Sequence, residues 1–570
     1  MNVILKFRRW LRLSNLKIIP LGGVRENAKN MYVVEVEDAI FVLDCGLAYP
    51  EGEQLYGIDA VIPDFTYIEE NKDKVAGVFL THGHDDAIGA LPYFLDKFDV
   101  PVFGSELTIE LAKRFVDDSG LEIDFDDYHV IDEEVEIDFA GTVVRFFRTT
   151  HTIPDSMGIA VRTDEGNIVY TGNFKFDQMA AESYRTDLGQ ISEIGREGVL
   201  ALLSDSMEAE SATENISESE VQTEVLNTFQ VTKSRIIVVA VASNLLRIQQ
   251  VLNAASRYNR KVFITGKTVE AILKIAIDLG KLELIDEDIF VSIDKLDQYE
   301  DEQIVILETG SAGEPINSLD NMARGLHNQV NIKEGDLVYI VTSPSSSMEV
   351  AVGKTENQVY RAGGQVKSIS DHLKATGHAT PKDLQWMINL LNPKYFVPIQ
   401  GEYRMLAAHG DLAHQTGIPY RNIFILSNGD ILQYKDGQMR QSGQVSAENT
   451  LVDGIGIGDV GNIVLRDRRI LADDGIFVSV CTINRQKQEI VSGPYTVTRG
   501  FVFAKESQDL IDQGNEIVRN VVNDIIQDKN FEWSALKSSV RDELGSFLFK
   551  ETKRRPIILP VIMEVNQRRR

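Results

Sequence analysis

The apolar pattern of the chain predicts an α/β protein in which one domain is split by an inserted second domain and followed by a small third. Three observations carry this. From Ile18 to about Leu203, short apolar runs such as AIFVLDCG, AGVFLTH, NIVYTGN and VLALLSDS end in Gly, His, Asp or Asn, as buried strands do when their ends face a site. From 209 to 370 strands alternate with helical segments, RIIVVAVASN before LLRIQQVLNAASRY being one pair. The strand-rich style then returns in NIFILSNGDILQY, which makes the middle segment an insert.

In chain order, residues 1–17 are an N-terminal extension, basic and partly apolar, but interrupted by Arg8, Arg9, Arg12 and Lys17 and so neither signal peptide nor anchor. Residues 18–208 are the first part of the split domain, 209–370 the insert, and 371–450 the second part, which opens with the αβ segment PKDLQWMINLLNPKYFVPIQGEY. The acidic run EAESATENISESE, 208 to 220, reads as a solvated loop at the crossing between domains. A Gly-rich linker, 451–462, leads to a C-terminal α/β domain, 463–570. Within it Ile511, Val518, Val521, Val522 and Ile525 share one helical face, and Leu536, Val540, Leu544 and Phe547 repeat the pattern. One stripe is expected to serve the domain core and another a partner.

Composition narrows the function. With 570 residues, 43% hydrophobic and 25% charged, the chain supports several packed cores. It has no apolar run of about eighteen residues, so a cytoplasmic protein without membrane contact is expected. Its two cysteines, Cys45 and Cys481, build neither a disulfide framework nor a CxxC metal motif, so any metal must use His and carboxylates. A formal charge of −28, from 58 basic against 86 acidic residues, argues against wrapping nucleic acid over the general surface, though not against a local basic channel.

The chemistry-bearing stretch is FLTHGHDDAIGALPYFL, residues 79 to 95. His82 and His84 alternate at the mouth of a strand expected over Val75 to Leu80, with Asp86 two residues on and Ala87 where a two-metal hydrolase loop would carry one more ligand. Alone, a His-x-His is usually a polar strand end.

The order THGHDDA, RTTHTIPDS, YTGNFKFD, LLSDS, KATGHA, VPIQGEYRM resembles the metallo-β-lactamase hydrolases with a β-CASP insert, and within them the ribonuclease J family. LGGVRENAKNMYVVE, IDAVIPDFTYI, ASNLLRIQQV, RDRRIL and KRRPIILPVIMEV extend the resemblance over nearly the whole chain. It implies an αββα sandwich split by a β-CASP α/β domain, a C-terminal domain that contributes to oligomers, and 5′-to-3′ exoribonuclease and endoribonuclease activity. One family metal site falls on His82, His84, His151 and Asn173; the other falls on Asp86, Ala87, Asn173 and Gln400. A neutral amide bridges two cations poorly, alanine offers no lone pair, and glutamine replaces an imidazole, so Ala87, Asn173 and Gln400 are lost ligand positions. At most one metal, Zn or Mn, is expected, on His82, His84 and His151.

By the same resemblance Asp86, Asp205 and His378 are vestiges of the catalytic apparatus. Lys374, Ala375, Thr376, Gly377 and His378 correspond to the pocket for the RNA 5′ end, and Ser243 and Asn244 to a phosphate-contacting loop. The bland reading of the glycine, serine and asparagine positions is turn and helix-cap chemistry. The chain most resembles a catalytically weakened second paralogue, expected to work as a homodimer or hetero-oligomer with an active paralogue in mRNA decay and rRNA maturation. The rival is a slow single-metal ribonuclease active by itself. A small-molecule hydrolase on the same fold is disfavoured, because insert and C-terminal domain both match the RNA-processing branch.

Overall fold

A computed structural model describes residues 15–50, 55–212, 216–310, 314–342, 349–369, 373, 376–454, 456–503, 507–528 and 530–565. Lys374 and Ala375 lie outside them. The chain divides into two compact units, Met1–Pro50 with Asp59–Leu451, and Glu51–Ile58 with Val452–Arg570.

Among the described residues of the first unit, one sheet runs in the order Gln438–Gln444, Asp430–Lys435, Leu16–Gly22, Met31–Val36, Ala39–Leu43, Val75–Phe79, Val102–Gly104, Tyr128–Val130. Its strand from Leu16 starts inside the stretch read as an extension, because Leu16 and Ile18 both face the core. A second sheet runs Tyr395–Ile399, Val199–Asp205, Gly166–Tyr170, Met157–Thr163, Thr142–Arg148, Glu136–Phe139. Alternation along these strands decides the layers. Phe146, Ile159, Val161, Ile168 and Tyr170 face Phe41, Leu43 and Phe79 of the first sheet. Their neighbours Phe147, Ala160 and Val169 turn outward onto Ile191, Ile194, Leu384, Met387 and Ile388 of flanking helices. Helix-covered sheets packed face to face give the αββα sandwich.

Ala39–Leu43 and Val75–Phe79 run parallel, as do Gly166–Tyr170, Val199–Asp205 and Tyr395–Ile399. Their C-terminal ends therefore bring Asp44, His82, Asn173, Asp205 and Gln400 to one edge of the sandwich, where the loops after parallel strands commonly form sites. The insert is an all-parallel sheet, Lys261–Thr265, Ile304–Gly310, Ile236–Val241, Leu337–Ile340, Gln365–Ser368. Its central strand, IIVVAV, is apolar on both faces because helices cover both.

In the second unit, helices Gln508–Ile526 and Trp533–Thr552 pack on a sheet of Glu489–Arg499, Ile476–Asn484 and Ile557–Glu564. Both helical stripes enter one core: Val518, Val522, Leu536, Val540 and Leu544 meet Phe477, Cys481, Ile558 and Ile562, with Val521, Ile525 and Phe547 at its margin. This corrects the division of stripes between core and partner. Two helices on a single sheet face need both stripes to close that face. The exposed apolar residues of this unit lie elsewhere, Val491, Tyr495, Val497, Leu559 and Met563 on the strands among them.

Candidate metal centre

His82 and His84 leave the strand Val75–Phe79, and His151 follows Thr142–Arg148. One ring nitrogen from each of the three lies within 4.8 Å of the others. Which nitrogen each ring presents is fixed from behind. His84 Nε2 donates to the Ser243 carbonyl at 3.2 Å, and His151 Nδ1 donates to the Gly377 carbonyl at 2.8 Å. The Thr81 hydroxyl donates to Asp44 at 2.8 Å and so accepts from His82 Nδ1 at 2.9 Å. Burial pushes the Asp44 carboxyl up to about 6, against the charge of His82 and bonds from Tyr170 and Thr81, so at neutral pH it remains an acceptor.

His82 Nε2, His84 Nδ1 and His151 Nε2 are therefore the inward nitrogens. Burial and the neighbouring His82 push His84 down to about 3, and burial with His84 beside it pushes His151 well below the ordinary value. Both rings are neutral. Their facing nitrogens stand 3.2 Å apart, an arrangement of two lone pairs that a cation between them relieves. Asn173 faces the triad with Nδ2, 3.3 Å from His82 Nε2, and among the described residues its buried Oδ1 has no hydrogen-bond partner. Three imidazoles oriented by outer acceptors fit one metal ion.

The second position is different. Asp86 Oδ2 accepts from Asn30 Nδ2 at 3.0 Å, Asn173 Nδ2 at 3.0 Å and Gln400 Nε2 at 3.2 Å. Its Oδ1 lies 3.4 Å from His82 Nε2. Burial would raise this carboxyl, but His82, His84 and the Asn173 donor outweigh it and hold it well below the usual carboxylate range. Ala87 is fully buried and contributes only backbone, its carbonyl accepting from Cys45 N at 2.7 Å. Gln400 holds a left-handed conformation, φ 51°, between a backbone bond to Gly23 and one from Ser206. N–H groups of Asn30, Asn173 and Gln400 thus point at the carboxylate and satisfy Asp86 without a cation.

Beside the triad, His378 Nδ1 and Asp205 Oδ2 are 2.7 Å apart. Burial alone would lower His378, but Asp205 lifts it above its ordinary value. Thr376 Oγ1 accepts from the His378 amide at 3.1 Å. Gly377 has no room for a side chain, because a Cβ would meet Thr152 at 2.7 Å and His151 at 2.9 Å. Of the loop 243–244, Asn244 caps the helix Leu245–Arg257 through the Arg247 amide, and Ser243 meets His84 through its carbonyl.

The acidic run is not simply a solvated loop. Glu218 is buried, bonded to Lys175 Nζ at 2.6 Å and Arg247 Nη1 at 2.9 Å, both themselves buried. Burial would raise its carboxyl, but Lys175 and Arg247 pull it down to about 2. Lys175 also donates to the Thr376 carbonyl at 3.1 Å, tying the insert to the loop that orients His151. Sequence reasoning missed this network, and with it Asn30, Asp44 and Thr81. The one available signal was a lysine, Lys175, two residues beyond Asn173 and set between Phe174 and Phe176.

Comparisons with known proteins agree along the chain. Residues 24–211 match the metallo-β-lactamase superfamily, 233–359 the ribonuclease J β-CASP domain, 366–425 the Zn-dependent metallo-hydrolase RNA specificity domain, and 463–565 the ribonuclease J C-terminal domain. Ribonuclease J 2 of Streptococcus pyogenes serotype M3 is 52% identical over 553 residues, 97% of this chain and 100% of that protein. Ribonuclease J 2 of Staphylococcus saprophyticus is 45% identical over 552 residues, 97% and 99% of the two chains. A protein of unknown function from Enterococcus faecalis V583 shares the fold at 13% identity, with a TM-score of 0.51 over 74% of this chain and 100% of that one. No helix among the described residues is long and apolar enough to cross a membrane.

Proposed function

The chain belongs to the ribonuclease J family, and from that premise we propose that it is a cytoplasmic RNA-processing subunit with a degenerate two-metal site, working mainly as partner of an active paralogue in mRNA decay and rRNA maturation. The observation that carries this is the donation of Asn173 and Gln400 amides to Asp86. In-line phosphodiester attack by two cations needs a charged bridge and ligands on both sides. Here the bridge is neutral, and N–H donors occupy the side on which a second cation would be held. Asp86 is then a structural acceptor, and Asp205 with His378 a hydrogen-bonded pair of the seam. RNA contact falls to the segment 374–378 and to Ser243 and Asn244.

A second reading has its own support. The three inward imidazole nitrogens suit a single Zn or Mn, which when bound would supply a polarised water for slow RNA hydrolysis. Degradation of 5′-monophosphorylated RNA separates the two. The partner reading expects a rate orders of magnitude below that of an active paralogue, about 1.4 kcal/mol of barrier for each tenfold, and unaltered by His82→Ala. Robust digestion abolished by His82→Ala favours the enzyme. For assembly, a chain truncated near Asp453 should no longer co-purify with the active paralogue. Capture at full efficiency would move the interface to the first unit.

A further inference from the structure

The C-terminal unit carries a cluster of cations that neither its core nor the metal centre uses. Helix Trp533–Thr552 ends in Phe549, Lys550 and the left-handed Lys553, φ 59°, and the chain continues through Arg554 and Arg555 into the strand Ile557–Glu564. Ile476 pairs with Ile557 on one side and Arg499 on the other, so Arg499 stands at the same end of the sheet. All five cations are exposed. Among the described residues none of them forms an ion pair, in a chain with 86 acidic residues against 58 basic.

We propose that Arg499, Phe549, Lys550, Lys553, Arg554 and Arg555 form a contact site for single-stranded RNA, in the unit that does not contain the histidine centre. This rests on reading the chain as an RNA-processing subunit. The arrangement is specific. Arg555 lies 4.4 Å and Lys553 5.6 Å from the centroid of the Phe549 ring, which remains 37% exposed. Arg554 is anchored by one nitrogen to the Phe501 carbonyl at 2.6 Å, and two residues on, Phe503 is largely exposed. Cations held against exposed aromatic rings contact phosphates while bases stack, without reading sequence. A helix C-terminus favours cations and accounts for Lys550 and Lys553, but Arg499, Arg554 and Arg555 lie outside the helix. Asp473, before the strand that pairs with both Arg499 and Ile557, is itself within 3.6 Å of Arg469.

The test is fluorescence anisotropy of the full chain with labelled, unstructured oligouridine across a salt series. Each phosphate contact on a single strand contributes about 0.7 to the salt slope, or about fivefold in affinity at about 0.1 M salt. Lys553→Ala with Arg555→Ala should weaken binding about 25-fold there and lower the slope by about 1.4. Phe549→Leu should weaken binding with the slope unchanged. Lys537→Ala with Arg541→Ala, on the same helix but away from its end, should alter neither. If the unaltered chain binds and the cluster variants bind equally well, the site is refuted while the RNA reading stands. Equal losses in the control pair also refute it. No binding by the unaltered chain defeats the RNA reading and the site together.

Discussion

Glu218→Gln removes the one negative charge between two buried cations while keeping the size of the side chain. The carboxyl sits at about 2 where an ordinary glutamate is at 4.5, so its ionised form is favoured in the fold by about 3 kcal/mol at about 1.4 kcal/mol per pH unit. Breaking a buried ion pair by removing one partner costs about 3–5 kcal/mol, in agreement. Because the folded value is depressed, this stability is present above the ordinary glutamate value and is lost as pH falls toward about 2. Hydrogen exchange of the helix Glu218–Val231 is the assay. At neutral pH the variant should lose about 3 kcal/mol of protection there, an exchange rise of about 150-fold. Protection in the unaltered protein should decay between pH 4.5 and about 2, and the variant should lack that decay. Lys175 also holds Thr376, so Zn affinity should fall as Gly377 loosens behind His151. Exchange within twofold of the unaltered protein would refute the coupling.

Three further outcomes follow from the same contacts. Thr81→Val removes the acceptor behind His82 Nδ1 and should lower Zn affinity about 10- to 100-fold by calorimetry, with the fold intact. Ala87→His, Asn173→Asp and Gln400→His together should be needed to raise RNA hydrolysis, because they rebuild one shared site; full activity from Ala87→His alone would contradict this. Leu544→Ala opens the fully buried centre of the C-terminal core and should cost that unit about 2–5 kcal/mol in denaturant, leaving Zn binding to the first unit unchanged.

Much of this architecture was legible because apolar alternation and strand-end chemistry are local. AGVFLTHGH placed His82 and His84 at a strand mouth, and the change of pattern along the chain gave the split α/β organisation. What the sequence concealed is long-range. Asp86 takes its donors from positions 56, 87 and 314 residues away, and no spacing rule links them. The choice of imidazole nitrogen depends on the carbonyls of Ser243 and Gly377, whose positions no local pattern specifies. Glu218 was misread because its acidic neighbours suggested solvent, whereas its own side chain turns inward to Lys175 and Arg247. The C-terminal stripes were misassigned because periodicity tells which face is apolar but not what covers it.

In the reading proposed here, amides on Asp86 take the place of a second cation while the three imidazoles keep the first position. Elemental mass spectrometry on chain purified without chelator and then equilibrated with Zn or Mn tests it most directly. The expected stoichiometry is no more than one metal ion per chain, lost in His151→Ala and unaffected by Gln400→Ala. Two ions per chain, with one of them lost in Gln400→Ala, would contradict it.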